Sequence, residues 1–416
     1  MNNEKRTMHE RARAMRWAAL LTTLWAAFVA AVGLARADAP PKTAAGLPAE
    51  AGLEPFLGAP RFDGQPLFHG QRFPNVVVAT DGAVLATWGG RPAEHSYMVR
   101  RSEDGGETWA PAMTIAEPGF HGGGALVDER SGNVLVFVDD AHPPRTPQKT
   151  LEGLEVYRSK DHGNTWERID VTIHSDEHGN VAARHMCEAG ITLRYGPKAG
   201  RLLRPARVYY GNVGAHPRGY NTAIYSDDGG TTWRPSAPFP ALGTGEGTLA
   251  ELSDGRIYYN SRRHWAPEGE NARMRWTAFS DDSGETWKNL SVSTVLPDGA
   301  QHRDYGLMAG LVRLPVAGRD ILVFSNIISA RGRQNGHVWA SFDGGRTWPI
   351  KRQVDEGPFA YSSLAAGRPE TPSEGWIYLL YETGGHPDSS GRIARFNLAW
   401  LLEGEPTGDG EVPEVN

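Results

Sequence analysis

Cysteine is almost absent from this chain: Cys187 stands alone among 416 residues, so no internal disulfide can form and the fold must be held by packing. That cysteine sits in His185-Met186-Cys187-Glu188, and no second pair at zinc spacing accompanies it, so the segment reads as core packing and no metal is expected. The chain also lacks a phosphate-binding loop, a zinc-protease helix and a nucleotide fingerprint, so no cofactor is implied. Positive charge is in short supply. With 43 Lys and Arg against 49 Asp and Glu, the net charge of −6 argues against nucleic acid as a partner, and an anionic ligand would need a local basic pocket. No protein partner is implied either.

Long apolar runs are missing beyond the first residues. Lys5, Arg6, Arg11, Arg13 and Arg16 precede an apolar run from Trp17 to Leu34 and an Ala35-Arg36-Ala37 cleavage pattern, which predicts a signal peptide over 1–37 and export to the periplasm or the extracellular space. The run reaches the length of a short membrane span, so an uncleaved N-terminal membrane anchor is the alternative. An Ala/Pro-rich linker over 38–54, one folded domain over 55–405 and a C-terminal tail over 406–416 complete the expected organisation.

What the chain has in abundance is glycine, 50 residues, and proline, 29, which suits many short strands joined by tight turns. Within that pattern Ser-x-Asp-x-Gly-x-Thr-Trp recurs five times, starting at Ser102, Ser159, Ser226, Ser280 and Ser341. The intervals are too long for a helical-pair solenoid and fit a four-stranded propeller blade. Each box reads as a structural turn: Ser and Asp bond nearby amides, Gly takes the left-handed conformation, and Trp buries a ring between sheets. About 360 residues make six blades of roughly sixty. Strands near Tyr361-Leu364, Trp376-Glu382 and Ile393-Leu398 are expected to pair with an N-terminal strand near Pro66-Phe73, closing the ring and removing its open edge. The expected fold is all-β, a six-bladed propeller of four-stranded antiparallel blades with five box turns set on the rim opposite the functional mouth.

Four segments beyond the boxes resemble the sialidase (neuraminidase) superfamily, from Arg72 to Glu382. Arg72-Phe73-Pro74 resembles the family's Arg-Ile-Pro element, with Phe where the family has Ile, and implies Arg72 as the first arginine of a substrate-carboxylate clamp. Glu246, followed by Glu251-Leu252, Asp254-Gly255 and Asn260-Ser261-Arg262, is similar to the segment carrying the catalytic glutamate and the second arginine. Phe324-Ser325-Asn326 with Arg333 looks like the third-arginine segment, Arg331 being the alternative choice. Ala360-Tyr361-Ser362-Ser363-Leu364 and Leu379-Leu380-Tyr381-Glu382 resemble the nucleophile strand and the glutamate that steadies the first arginine.

The resemblance implies a retaining exo-α-sialidase-like hydrolase that removes terminal sialic acid from glycoconjugates, with sialylated or other acidic glycans as partners. Three guanidinium groups hold a carboxylate through forked bonds that lysines imitate poorly. A neutral tyrosine avoids the repulsion that a carboxylate nucleophile would meet at an anionic sugar, and Glu246 beside Tyr361 would take its proton. The family's general acid is an Asp between the first hairpin and the first box, where this chain reads Gly89-Gly90-Arg91-Pro92-Ala93-Glu94-His95-Ser96-Tyr97. Glu94 is the candidate acid and His95 the second choice, a solvated loop glutamate being the other reading. Two further functions stay open: hydrolysis of another 2-keto-3-deoxy (ulosonic) sugar acid, and a non-catalytic propeller that binds acidic glycans.

Overall fold

The computed structural model describes residues 46–90, 96–140, 148–182, 189–208, 219–263, 266, 269–299, 306–384 and 389–403. The expected signal segment 1–37 and tail 406–416, as well as His185–Glu188, lie outside them.

After strand β1 (Phe62–His69), the chain builds blade one from β2 (Arg72–Val78), β3 (Val84–Gly89), β4 (Tyr97–Ser102) and β5 (Met113–Ala116). Blade two follows with β6 (His121–Val127), β7 (Val134–Asp139), β8 (Leu154–Ser159) and β9 (Glu167–Ile169). Blade three holds β11 (Ile191–Thr192), β12 (Leu202–Val208), β13 (Tyr220–Ser226) and β14 (Thr232–Pro235), with β10 (Thr172–Ile173) added in parallel outside β14. Blade four contains β15 (Glu246–Glu251), β16 (Ile257–Arg262), β17 (Met274–Ser280) and β18 (Lys288–Pro297). Blade five contains β19 (Gly310–Arg313), β20 (Leu322–Ile327), β21 (Gln334–Ser341) and β22 (Ile350–Pro358). Blade six runs β23 (Ser362–Ala366), β24 (Ile377–Thr383), β25 (Ser390–Phe396) and then β1, so the first strand closes the last blade. That closing strand begins earlier than Pro66, because Gly70, in the left-handed region at φ 73°, turns the chain and Arg72 already opens blade one.

Hydrophobic packing explains the ring. Six clusters of buried side chains lie one between each pair of neighbouring blades, as sheets with two apolar faces require. Each box tryptophan enters the cluster shared with the preceding blade: Trp109, Trp166, Trp233, Trp287 and Trp348 in turn. Blade six carries no box. Its third strand instead runs straight into α1 (Leu398–Leu402), capped by Asn397, and Trp400 of that helix fills the cluster between blades five and six.

The box turns are tied as their residue types dictate. Ser102 Oγ donates to Asp104 Oδ1 at 2.8 Å and accepts from the Gly106 amide at 2.8 Å, while Asp104 accepts from the Thr108 amide at 2.9 Å and its hydroxyl at 2.5 Å. The serine–aspartate bond and the glycine and threonine amide bonds recur in the other four boxes. The signature glycine of each box, Gly106, Gly163, Gly230, Gly284 and Gly345, has φ between 86° and 90°, a conformation that a side chain would strain. All five boxes follow third strands, at the face opposite the first residues of β2 and β15.

These bonds make the boxes acid-labile. Burial by itself raises Asp104, but the bonds from Thr108, Ser102 and Glu107 outweigh it and hold its pKa at about 2, and Asp161, Asp228, Asp282 and Asp343 are likewise lowered. A carboxylate depressed in the folded state contributes stability above its unfolded pKa and loses it as pH falls through the folded value. The thermal unfolding midpoint is therefore expected to hold down to about pH 4 and then fall steeply toward pH 2. A midpoint that stays level across that range in a calorimetric scan would contradict this role.

The end of the Ala/Pro-rich stretch is tied to the propeller. Ala51 donates to Pro315 O and accepts from the Ala317 amide, each at 2.9 Å, and Glu50 pairs with Arg313 and takes the Tyr195 hydroxyl at 2.6 Å. This segment lies over a cavity of about 640 Å³ among the ends of the innermost strands, on the box side of the ring.

Candidate active site

The opposite mouth gathers the starts of β2, β15 and β23 with the ends of β16 and β24. Glu246 opens β15 and Arg262 ends β16, and antiparallel register sets them directly across from each other. Both are fully buried, and Arg262 Nη1 donates to Glu246 Oε2 at 2.5 Å. Burial by itself lowers the Arg262 pKa, but the Glu246 carboxylate overrides it and pushes the guanidinium up. Gly247 leaves no room for a side chain here, since a Cβ would meet the Tyr259 ring at 2.3 Å.

Tyr361 lies just before β23 and is 5% exposed. Its hydroxyl donates to Glu246 Oε1 at 2.9 Å, and Arg262 Nη1 lies 3.5 Å from the same hydroxyl. Backbone bonds set Tyr361 against Glu382 in the neighbouring strand: Ala360 donates to Glu382 O and Glu382 to Tyr361 O, both at 2.9 Å. The Glu382 carboxylate in turn takes Arg72 as a fork, Nε at 3.2 Å and Nη2 at 3.0 Å, and accepts the Phe73 amide at 2.9 Å. Phe73 has φ 62°, unusual for a bulky residue, within a bulge between Arg72 and Asn75 that redirects the Arg72 side chain. The Arg72 guanidinium lies 5.4 Å from the Tyr361 ring centre and that of Arg333 4.9 Å. The structure thus brings Arg72, Arg262 and Arg333 to one tyrosine, whereas Arg331 is exposed. Beneath Tyr361 the inner strand β23 is tied to blade five by Ser362 to Ser325 of β20 at 2.8 Å and to blade one by Ser363 to Asn75 of β2 at 3.1 Å.

Glu94 and His95 lie outside the described residues. Gly89, which precedes them in the chain, pairs with Arg72 in β2. Among the described residues no group of three His, Cys, Asp or Glu side chains is placed to hold a metal.

Three charged residues escaped the sequence reading. Arg275 Nη1 donates to Asp298 at 3.0 Å and its Nε to Asn260 at 2.7 Å, a buried layer behind Arg262 in which burial pushes the Asp298 carboxyl up despite both arginines. Arg207, on β12 of blade three, reaches Gly245 O at 3.2 Å. No local motif marks any of them. A phenol donating to a buried carboxylate, ringed by guanidinium groups, can lose its proton as its oxygen attacks and can hold an anionic ligand meanwhile.

Comparison with known proteins gives one family, described as the BNR repeat-like domain, over residues 157–371, just over half of the chain. A sialidase of Micromonospora viridifaciens is 31% identical over 79% of this chain and 52% of its own length, and one of Bacteroides fragilis is 28% identical over 75% and 60%. The chain therefore spans about half to three-fifths of the length of these curated relatives. Among solved structures, Hadza microbial sialidase Hz136 aligns with a TM-score of 0.62 at 24% identity, covering 80% of this chain and 66% of its own. The intramolecular trans-sialidase of Ruminococcus gnavus, solved with oseltamivir carboxylate, aligns with a TM-score of 0.64 at 16% identity over 83% and 96%. At these identities the structural likeness speaks for the fold.

Proposed function

Because this chain belongs to the sialidase superfamily of BNR-repeat propellers, we propose that it is a retaining exo-α-sialidase-like glycoside hydrolase that removes terminal sialic acid from glycoconjugates. The observation that carries this reading is the 2.9 Å bond from the Tyr361 hydroxyl to Glu246 under three arginines. Arg72, Arg262 and Arg333 hold the sugar carboxylate, with Glu382 steadying Arg72. The Tyr361 oxygen attacks the anomeric carbon and its proton passes to Glu246. The bond to the leaving oxygen breaks as Glu94 protonates that oxygen. Water, deprotonated by the same acid residue, then displaces the sugar from Tyr361 as Glu246 returns its proton to the departing tyrosine oxygen, and two inversions give net retention. Residues 1–37 carry the protein out of the cytoplasm.

Incubation of the protein with a fluorogenic sialoside and a panel of other ulosonosides tests the reading, with release of the α-anomer of sialic acid expected as first product. Preferred turnover of another ulosonic acid would move the assignment to the second reading, which the Asp-free loop at Gly89–Tyr97 supports. Binding of acidic glycans with no turnover of any of them would replace enzyme by binding module. Within the clamp, Arg333→Ala removes one charged contact and is expected to weaken binding of a sialic acid analogue by about 1.5–3 kcal/mol, measured by calorimetry. Wild-type affinity in that variant would take Arg333 out of the clamp.

A further inference from the structure

Glu246 is held from two sides, and only one of them belongs to the clamp. Its Oε2 faces Arg262, while Oε1, the oxygen that accepts from Tyr361, lies 3.9 Å from Arg207 Nη1. Arg207 comes from blade three, stands opposite Asn221 in the β12–β13 register and is 5% exposed. Its Nη1 also donates to the carbonyl of Gly245, the residue just before Glu246, so the guanidinium is fixed to the backbone that carries the carboxylate. The neighbouring strand repeats the attachment. The Asn221 amide donates to Thr244 Oγ1 at 2.8 Å and its side chain donates to Ser261 Oγ at 2.8 Å. Blade three is thus buttoned onto both strands that present Glu246 and Arg262.

Among the described residues, the remaining neighbours of β15 bring little competing charge to Glu246, since Arg204, the other arginine of β12, lies over the Phe137 ring of blade two. β11 contributes Ile191 and Thr192, and Arg313, the charged residue of β19, pairs with Glu50 and Asp320 at the box face. From the blade-six side comes Tyr361, beneath Arg72 and Arg333, and behind Arg262 lie Asp298 and Arg275. A fully buried carboxylate pays a large desolvation cost to stay ionised, and a guanidinium within about 4–6 Å offsets it by roughly 1–3 pKa units.

We propose that Arg207 is a positioning residue that keeps Glu246 ionised and aimed at the Tyr361 hydroxyl, and so sets the acid limit of the reaction. This inference rests on Glu246 acting as the proton acceptor of Tyr361. Arg262 is engaged with the substrate carboxylate during the reaction, whereas Arg207 is fixed to Gly245 O and, among the described residues, stays with the base. The device links the blade three–blade four interface to the pH range of the enzyme.

The test uses the full chain with Arg207→Leu, which removes charge and contact, and Arg207→Gln, which removes the charge but keeps a donor for Gly245 O. In both, the acid limb of the kcat/KM profile is expected to move up by about one unit or more, a loss of roughly tenfold at a pH below the wild-type limb. Arg207→Lys is expected to restore most of the limb. A second readout needs no turnover: the Glu246 carboxyl is titrated by carbon-13 NMR in glutamate-labelled protein, its resonance assigned by its loss in Glu246→Gln. A Glu246 titration that moves up in Arg207→Gln supports the proposal even in a protein that turns over no sialoside, an outcome that would count against the hydrolase reading alone. A Glu246 titration, and a limb where one is measured, that stay where the wild type has them in folded Arg207→Gln would overturn it. Should Arg207→Leu fail to fold, the glutamine and lysine variants carry the same comparison.

Discussion

Tyr361→Phe is expected to lower turnover on the order of a thousandfold or more while leaving the affinity for a sialic acid analogue within a few-fold of wild type. The substitution removes one oxygen and nothing else. The ring that remains keeps its place among Phe73, at 6.2 Å between centres, and the guanidinium groups of Arg72 and Arg333. The backbone bonds to Glu382 do not involve the side chain. What disappears is the attacking atom, whose bond to carbon develops only on the way to the transition state, so kcat falls and ground-state binding is retained. Single-turnover kinetics and calorimetry on the same preparation separate the two quantities. Activity at the wild-type level in this variant would remove Tyr361 as nucleophile, and a parallel collapse of binding would recast it as a recognition residue.

The second large effect is on stability. Arg262 and Glu246 are both fully buried and bonded at 2.5 Å, so Arg262→Leu strands a carboxylate in the interior. Breaking a buried pair from one side costs about 3–5 kcal/mol, because the remaining charge keeps its desolvation penalty and loses its compensation. Arg207, 3.9 Å away, offsets part of this and sets the expectation toward the lower end of that range. The double variant Arg262→Leu with Glu246→Leu is expected to recover much of the lost stability, since the isolated charge is gone. Denaturant unfolding of wild type, Arg262→Leu, Glu246→Leu and the double variant closes the cycle. An Arg262→Leu protein within 1 kcal/mol of wild type would mean that the pair is looser than the 2.5 Å contact describes.

The fold and most of the site were legible in the sequence because their determinants are local. A box needs Ser, Asp, Gly and Thr within a few residues, and its repetition reports the blade directly, as the five matching bond sets demonstrate. Glu246 and Arg262 meet through one hairpin around Asp254-Gly255, so their pairing follows from a turn and a count of alternating residues. Arg72 and Glu382 lie 310 positions apart, and only resemblance to a family could join them before the ring was closed. Arg207 was invisible for the opposite reason. Its approach to Glu246 depends on how blade three seats against blade four, a relation that no period, turn or motif within either blade encodes. The same holds for Arg275 and Asp298, two charges on ordinary strand positions until packing buries them together. The closing strand, expected near Pro66–Phe73, runs Phe62–His69, because the φ of Gly70 that separates it from β2 is a property of the folded chain.

The measurement closest to the chemistry is brief exposure of the protein to 2,3-difluoro-sialic acid, followed by proteolysis and mass spectrometry. The fluorine beside the anomeric carbon slows release of the sugar from the enzyme, so the peptide containing Tyr361 is expected to gain the mass of one fluorosialosyl group, and the corresponding peptide of Tyr361→Phe is expected to gain none. Turnover of sialosides with the label on Glu246, or with no covalent label at all, would contradict a tyrosine nucleophile activated by its buried glutamate.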